Sequence, residues 1–159
     1  MSEQLASLHK KGGGGDGKIL ACALVYAPGG ANAWTHADIG ISVTDPTATS
    51  PRYTLNESFC HTDSNNDIVF DKAISKVYVS GQTNATRNPS GTAVYSGLRV
   101  KKNGTIITGA NVTGNSSDTA PTFTRIETSV TVGDVISVEV LRTASSGFAI
   151  PIFVNLVTE

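Results

Sequence analysis

The sequence predicts an all-β domain: an antiparallel β-sandwich of jelly-roll type, with about eight to ten strands and a short N-terminal arm. Two observations predict this class. Apolar and polar residues alternate in many short segments, as expected of strands that bury one face. Turn-forming clusters such as "APGG", "RNPSG" and "TASSG" separate those segments at short intervals.

Length and charge restrict the number of domains and the classes of function. The 159 residues are enough for one ordinary domain with a real core. Only 16% of the residues are charged and the formal net charge is -1, so no basic field favours nucleic acid or an anionic membrane. The longest apolar run, "AIPIFVNLV", is too short and interrupted to span a bilayer, and the polar N-terminus does not resemble a secretory signal. We therefore expect neither nucleic-acid binding nor membrane insertion. We also expect the protein to mature without export through a secretory signal.

The N-terminal segment "KKGGGGDGKI" contains the G-x-x-x-x-G-K pattern of a phosphate-binding loop. A phosphate loop needs a preceding strand, a following helix, and a Ser or Thr after the lysine to hold magnesium. No strand-like run precedes this one, and Ile19 occupies the Ser/Thr position. We therefore interpret residues 12–17 as a hinge and expect no nucleotide cofactor. Its glycines, which maximise backbone freedom, are Gly12, Gly13, Gly14, Gly15 and Gly17.

The residues before the hinge, 1–11, are predicted to form a docking arm. Leu5 and Leu8 would share one face of a single helical turn, followed by Lys10 and Lys11. An isolated helix of this length is unstable in water, so the arm must either fray or dock on another surface. A disordered tail is the alternative. The β-domain is assigned to residues 18–159.

Three segments show the strand alternation most clearly. We expect their apolar faces to form the sandwich core. In "GDVISVEVLR" that face holds Ile136, Val138 and Val140, with Ser137 and Glu139 pointing away. In "GFAIPIFVNLV" it holds Phe148, Ile150, Ile152, Val154 and Leu156. In "TRIETSVTVG" it holds Ile126, Thr128, Val130 and Val132.

The dipeptide Asn103-Gly104 separates "GLRVKK" from "TIITGA". Both residues tolerate the positive φ angles that a two-residue hairpin turn requires. The sequence therefore predicts a hairpin centred on this pair.

No arrangement of residues predicts catalysis. A nucleophile would need a histidine beside it and an orienting acid. Cys60 and His61 are adjacent, but consecutive strand residues face opposite sides of a sheet. With few cysteines and no signal, Cys22 and Cys60 are expected to be free thiols. We predict that the chain is not an enzyme.

Two further features of the sequence could belong to a binding site. "DSNND", residues 63–67, supplies the first three ligand positions of a calcium loop, but Ile68 replaces the required glycine and Ile74 the final glutamate. An ordinary polar turn is the favoured interpretation, and no metal is expected. Trp34 is the only tryptophan, and we expect it to pack on a sheet rather than to bind a ligand.

The C-terminal half resembles the C1q/TNF-like jelly-roll family. In that family a Gly-Asp turn opens a strand of alternating apolar residues, and a Gly-aromatic pair opens the last strand. Gly133-Asp134 before "VISVEVL" fits the first feature, and Gly147-Phe148 fits the second. The resemblance covers roughly residues 70–159. The segment "KAISKVYVSG" departs from it, since it lacks the Gly-x-Tyr-x-Phe pattern of animal C1q domains.

The Asn-Gly hairpin and the loops rich in Thr, Asn and Gly are more similar to bacteriophage virion modules of this shape: capsid decoration proteins, head fibres and tail-fibre tips. The resemblance implies a homotrimer without catalysis, in which the apolar strand faces serve the core or the trimer packing. It implies a protein made in the host cytoplasm and located on the capsid surface. Its partner would be the major capsid protein or another virion protein, docked through Leu5, Leu8, Lys10 and Lys11.

Three other functions remain as alternatives. The first is the receptor-binding tip of a tail fibre, in which the loops "TDPTATSPRY", "HTDSNND" and "TGNSSDTAP" bind a host-surface glycan. The second is a secreted C1q-like or cytokine-like ligand, which the missing signal disfavours. The third is a small lectin or hydrolase, for which the sequence shows no site.

Overall fold

A computed structural model of the chain describes residues 18–26, 33–37, 53–83, 95–113, 122–142 and 151–158. The described residues contain eleven strands and no helix. In chain order the strands are β1 (Lys18–Tyr26), β2 (Ala33–Ala37), β3 (Tyr53–Leu55), β4 (Cys60–Thr62), β5 (Ile68–Phe70), β6 (Ile74–Thr83), β7 (Tyr95–Lys102), β8 (Thr105–Thr113), β9 (Thr122–Val130), β10 (Val135–Arg142) and β11 (Pro151–Thr158).

These strands form two packed antiparallel sheets, which confirms the predicted β-sandwich. The first sheet has the order β3-β1-β11-β6-β9, and the second has the order β4-β5-β10-β7-β8 with β2 also paired to β10. From β6 onward the chain passes to the other sheet at every connection except the β7–β8 hairpin. The last strand, β11, lies between β1 and β6 in the first sheet. This repeated passage between two packed sheets is that of an antiparallel β-sandwich.

The core lies between the two sheets and comes from alternate residues of the long strands. β6 contributes Val77 and Val79, β7 contributes Leu98 and Val100, and β11 contributes Leu156, all with no exposed surface. Burying each side chain of this size contributes about 1.5–3 kcal/mol to stability. The core therefore follows from the period-two pattern of the sequence.

Gly81 is the position at which the two sheets approach most tightly among the described glycines. It lies on the inner face of β6, in register with the two buried valines of that strand. A Cβ atom built at Gly81 would lie 2.6 Å from Phe123 Cζ and 2.7 Å from Leu98 Cδ2. Phe123 and Leu98 therefore occupy the space that a side chain at position 81 would need.

The strand β10 shares one of its edges between two strands. β5 pairs with Val135 and Ile136, and β2 pairs with the following stretch, from Val138 to Arg142. The other edge of β10 pairs along nearly its whole length with β7. Two segments distant in sequence thus lie end to end along the same edge.

The strand β8, at the edge of the second sheet, carries a bulge. Arg99 lies opposite Asn111, but Lys101 lies opposite Ile106, so β8 carries extra residues between these pairs. Within the bulge Gly109 has φ +87°, and a Cβ there would lie 3.1 Å from the Ile126 side chain on β9. The bulge therefore lets β8 and β9 approach each other while it interrupts a free sheet edge.

β9 carries a second bulge, at Arg125. Its φ is 51°, unusual for a residue with a side chain, and its N–H donates to Ser80 Oγ at 3.0 Å. This conformation places the Arg125 guanidinium 4.2 Å from the centre of the Tyr78 ring. The strained backbone is thus coupled to a cation–π contact.

Because of that strain, we expect Arg125→Gly to be more stable than Arg125→Ala by about 1 kcal/mol. Both variants lose the contact with Tyr78, but only glycine relieves the positive φ. At a regular strand position the order is reversed, since glycine costs more entropy than alanine. Urea unfolding of Glu127→Gly and Glu127→Ala, at an exposed position of β9 in regular register with β6, supplies the control. A more stable alanine at position 125 would contradict the assigned conformation.

The two ends of the sandwich differ in how strands are connected. At one end, here called the Lys18 end, Lys18 pairs with Thr158, and the strands are joined by the tight connections 56–59, 71–73, 103–104 and 131–134. At the opposite end, here called the Tyr26 end, Tyr26 pairs with Pro151 and Thr83 pairs with Ile152. The connections that start there are the segments 27–32, 84–94, 114–121 and 143–150, which lie outside the described residues. The longest connection, 38–52, also lies outside the described residues, and it starts at Ala37, which pairs with Val138 partway along β10. The first strand thus enters the domain at the end opposite four of the five longer connections.

Eleven strands exceed the predicted number because β3, β4 and β5 have only three residues each. Such segments are too short to show alternation in the sequence. The predicted face of "TRIETSVTVG" was wrong at its last residue. β9 ends at Val130, so Val132 lies in the following turn and is 68% exposed.

Candidate functional site

Polar side chains form a junction at the Lys18 end, centred on Asn103 and Asp134. Asn103 Nδ2 donates to Asp134 Oδ1 at 2.7 Å, and Asn103 Oδ1 accepts from the Val135 N–H at 2.9 Å. The Asn103 N–H also donates to the Val135 carbonyl, at 2.9 Å. The tip of the β7–β8 hairpin is therefore fixed to the start of β10. We call these contacts the Asn103–Asp134 junction.

The hairpin at the junction has the predicted conformation. Asn103 and Gly104 have φ angles of 50° and 78°. Two successive positive φ angles are those of a type I′ turn, whose twist matches the flanking strands. The turn presents the Asn103 side chain to the neighbouring connection.

Asp134 joins further elements to the junction. Its Oδ2 accepts from the Thr131 N–H at 2.8 Å, and its carbonyl accepts from the Phe70 N–H at 3.0 Å. The Gly133 N–H donates to the Phe70 carbonyl at 2.8 Å. The hydrogen bond from Asn103, then that from Thr131, lowers the pKa of Asp134 below its ordinary value of 3.8. The carboxylate is therefore ionised near neutral pH. The carboxylate joins the β7–β8 hairpin to the β9–β10 turn, and the Asp134 backbone carbonyl joins that turn to β5.

Gly133 provides a test of the turn itself. Its φ is +85°, and a Cβ atom there would meet no other atom within 4 Å. We therefore expect Gly133→Ala to lower the free energy of unfolding by about 1 kcal/mol from backbone strain alone. Gly133→Asn should cost less, since asparagine tolerates this region. Urea denaturation compares the two, and equal stability of both variants with the wild type would contradict this account.

A second group of side chains lies on the outer face of the second sheet. Glu139 on β10 lies opposite His36 on β2 and opposite Arg99 on β7. Its carboxylate accepts hydrogen bonds from Arg99 and, at 2.6 Å, from the Lys101 ammonium. The side chains of Arg99, Lys101 and Glu139 are only 20%, 19% and 18% exposed. We call these residues, with Trp34, the outer-face cluster.

The electrostatics of the outer-face cluster favour an ionised glutamate. Burial of the carboxyl acts to raise the pKa of Glu139, but the hydrogen bonds from Lys101 and Arg99 and their charges outweigh it. The net result is a pKa below the ordinary value of 4.5. The two cations and the carboxylate thus form ion pairs between β7 and β10.

Trp34 covers part of this cluster. The Arg99 guanidinium lies 4.2 Å from the centre of the Trp34 ring. A Cβ atom at Gly97 would lie 2.7 Å from the same ring, so the indole packs against the backbone of β7. The structure therefore gives Trp34 the sheet-packing position that the sequence favoured.

The segment 63–67 is a polar turn, as predicted. Asp63 Oδ1 accepts from the backbone N–H groups of Asn65 and Asp67, at 2.8 and 2.9 Å. Asp67 Oδ1 instead lies 2.7 Å from His36 Nε2, which links the turn to β2. Among the residues that the structure describes, no three metal-binding side chains are grouped to hold an ion. The carboxylates of this turn serve the fold.

The thiol and imidazole groups at β4 are not arranged for nucleophilic catalysis. Cys60 is fully buried, and desolvation, with the Asp71 charge, raises the pKa of its thiol to about 11. His61 points to solvent and its Nδ1 lies 2.9 Å from Asp71. A protonated, buried thiol is a poor nucleophile. Cys22 lies on β1, in the other sheet.

A groove of about 230 Å³ lies between the edges of β8 and β9. It is lined by Lys102, Thr105, Thr108, Glu127 and Thr128 among others. The volume is below the range of about 300–1,000 Å³ usual for small-molecule sites. Lys102 Nζ already donates to the Ser129 carbonyl at 2.8 Å. The groove does not suggest a particular ligand.

The structure places the residues singled out in the sequence as follows. Ile136, Val138, Val140 and Val154 lie in the core, each at most 3% exposed. Ile152 lies on β11, where it pairs with Val25 and Thr83. The arm, the hinge, and the loop residues lie outside the described part of the chain: Leu5, Leu8, Lys10, Lys11, Gly12, Gly13, Gly14, Gly15, Gly17, Phe148 and Ile150.

Sequence reasoning missed both polar networks. One signal was present: Arg99, Lys101 and Glu139 occupy outward positions of strands, with opposite charges on β7 and β10. Cross-strand pairing of these charges depends on which strands are neighbours, and the sequence does not specify strand order. The Asn103–Asp134 pair likewise joins two connections that are distant in the chain.

Comparison with known proteins adds no family. A scan against protein-family models finds no match, and a search of curated proteins finds no relative. Among the described residues, none forms a helix long and apolar enough to cross a membrane.

Proposed function

We propose that the chain is a non-enzymatic structural protein of a virus particle, either a capsid decoration protein or a head fibre. Its N-terminal arm docks on the capsid or another virion protein, and its jelly-roll domain projects outward as a homotrimer. The observation that carries the proposal is the difference between the two ends of the sandwich. The chain enters at the Lys18 end, directly after the glycine hinge, and four of the five longer connections start from the opposite end.

This polarity suits a tethered module. A docked arm would place the tight turns of the Lys18 end towards the particle and the Tyr26 end towards solvent. At the particle-facing end, the Asn103–Asp134 junction and the hydrogen bonds to Phe70 join the hairpin tip, the β9–β10 turn and β5 to one another. A flexible glycine hinge then lets the domain adopt an orientation that differs from that of the docked arm.

The energetics of docking favour several copies acting together. Two buried leucines, Leu5 and Leu8, would contribute roughly 3–6 kcal/mol before the cost of ordering the arm. A single arm would therefore bind weakly. In a trimer the second and third arms bind at high effective concentration, which converts weak contacts into stable attachment.

The test is attachment to particles that lack the protein. We expect Leu5→Asp combined with Leu8→Asp to abolish co-sedimentation with particles and to leave the domain folded by circular dichroism. Ser2→Asp combined with Ser7→Asp adds the same charge without removing a leucine, and should still attach. If the leucine variant decorates particles normally, the arm is not the anchor.

The trimer is tested separately, by light scattering of the full chain and of a chain that begins at Lys18. Trimers in both cases would agree with assembly through the β-domain. A monomer only after truncation would instead make the arm an oligomerisation element. Monomers in both cases would contradict a trimer that forms without a particle.

A receptor-binding tip is the second candidate, and the same end polarity favours it. The connections at the Tyr26 end would be presented to a host-surface glycan. Substitutions in 114–121 would then abolish adsorption to cells, whereas a decoration protein would tolerate them. The number of copies per particle also distinguishes the two, since decoration proteins are present in many copies and tips in few.

A further inference from the structure

The Asn103-Gly104 turn contains a pair of residues with intrinsic chemical reactivity. In an Asn-Gly pair the backbone nitrogen of glycine can attack the side-chain amide carbon of asparagine, and glycine obstructs this attack least because it has no Cβ. A Cβ atom at Gly104 would meet nothing within 4 Å, and Asn103 is exposed. Water and the attacking nitrogen therefore meet little steric resistance at this turn.

In the folded protein both atoms of the Asn103 amide are engaged. Nδ2 donates to Asp134 Oδ1 at 2.7 Å, and Oδ1 accepts from the Val135 N–H at 2.9 Å. Attack by the Gly104 nitrogen requires the amide group to rotate towards the backbone. That rotation would break both hydrogen bonds, so the junction resists it.

We propose that Asn103 is a self-modification site that the Asn103–Asp134 junction protects, and that deamidates once the junction opens. The Gly104 nitrogen loses its proton and bonds to Asn103 Cγ, the Cγ–Nδ2 bond breaks, and ammonia leaves with that proton. Water then opens the cyclic imide at either carbonyl, which leaves aspartate or isoaspartate. No oxidant, metal or enzyme is required.

The modification would make opening of the junction irreversible. The product carries a carboxylate in place of the amide donor, facing the Asp134 carboxylate. The lowered pKa of Asp134 depends first on the Asn103 donor, so the donor's loss removes the main stabilisation of that charge. Two carboxylates at this separation repel each other, so the hydrogen bond between the hairpin tip and Asp134 cannot re-form.

The test is the rate of deamidation at position 103 in the full chain, followed by peptide mapping and mass spectrometry in mildly alkaline buffer. We expect Asp134→Ala to deamidate at this position several-fold faster than the wild type. Asn66 is an internal control, because it also has positive φ, at 63°, but precedes Asp67 rather than glycine. Equal rates at position 103 in wild type and Asp134→Ala would overturn the proposal.

The Gly133→Ala variant distinguishes loss of the junction from a general loss of stability, because it strains the same turn but keeps the Asp134 carboxylate. We expect this variant to deamidate more slowly than Asp134→Ala. If both deamidate equally fast, unfolding rather than the junction sets the rate and the proposal fails.

The product is tested with Asn103→Asp. We expect a loss of stability near neutral pH that shrinks in acid, as the facing carboxylates become protonated. A loss that does not change with pH would contradict the repulsion on which irreversibility depends.

Discussion

Gly81→Ala is expected to lower the free energy of unfolding by about 2–3 kcal/mol, as an overpacked core does. The added methyl would lie 2.6 Å from Phe123 Cζ and 2.7 Å from Leu98 Cδ2. Leu98 is completely buried and Phe123 is 8% exposed, so neither can move into solvent without opening the core. At an unobstructed strand position the same change would stabilise by up to about 1 kcal/mol, so the sign of the effect reports the packing.

A double-mutant cycle gives the control. Phe123→Ala removes the ring atoms nearest to the added methyl and costs about 3–5 kcal/mol by itself. Gly81→Ala combined with Phe123→Ala should cost less than the sum of the two single variants, by about 1 kcal/mol. Additive costs would show that Gly81 is not packed against its cross-strand partner Phe123. A single Gly81→Ala variant as stable as the wild type in urea would contradict the close packing around Gly81 altogether.

Glu139→Gln is expected to lower the free energy of unfolding by roughly 2 kcal/mol near neutral pH. The change keeps the shape of the side chain but leaves Arg99 and Lys101, about four-fifths buried, without their counter-charge. Because the pKa of Glu139 is lowered in the folded protein, its contribution is complete above the ordinary value of 4.5. It is lost as the pH falls through the folded value. The difference between wild type and variant should therefore shrink in acid.

Glu127→Gln is the matched control, because it makes the same chemical change at an exposed position of β9. We expect its effect to stay within about 0.5 kcal/mol at any pH. Urea denaturation at neutral and acidic pH measures both variants. If Glu139→Gln behaves like Glu127→Gln, the outer-face cluster contributes no more than an ordinary surface charge.

The sequence was most informative where one strand alone determines the structure. Ile136, Val138 and Val140 could be assigned to a buried face because alternation is a local property, and all three are at most 1% exposed. The turn at Asn103-Gly104 could be assigned because positive φ is also a local requirement. These signals need no knowledge of neighbouring strands.

The remaining features depend on contacts between distant segments. Gly81 carries no local signal, since its role is to leave space for side chains of β7 and β9. The bulges at Gly109 and Arg125 arise from register against a partner strand, which the sequence alone does not show. The charge pairs of Glu139 and the bonds of Asp134 required the strand order, and the arm and hinge stay predictions.

The shared edge of β10 has a consequence for local dynamics. Among the described residues β2 has no strand partner except β10, whereas β5 is also paired with β4. β2 can therefore detach without breaking any other ladder, if Trp34 and the His36–Asp67 contact release. The amide protons of β2 should exchange with deuterium through this partial opening, whereas those of the β7–β10 ladder should exchange only through global unfolding. The strand that carries the only tryptophan of the chain would thus be a separately cooperative unit, whose detachment tryptophan fluorescence can follow.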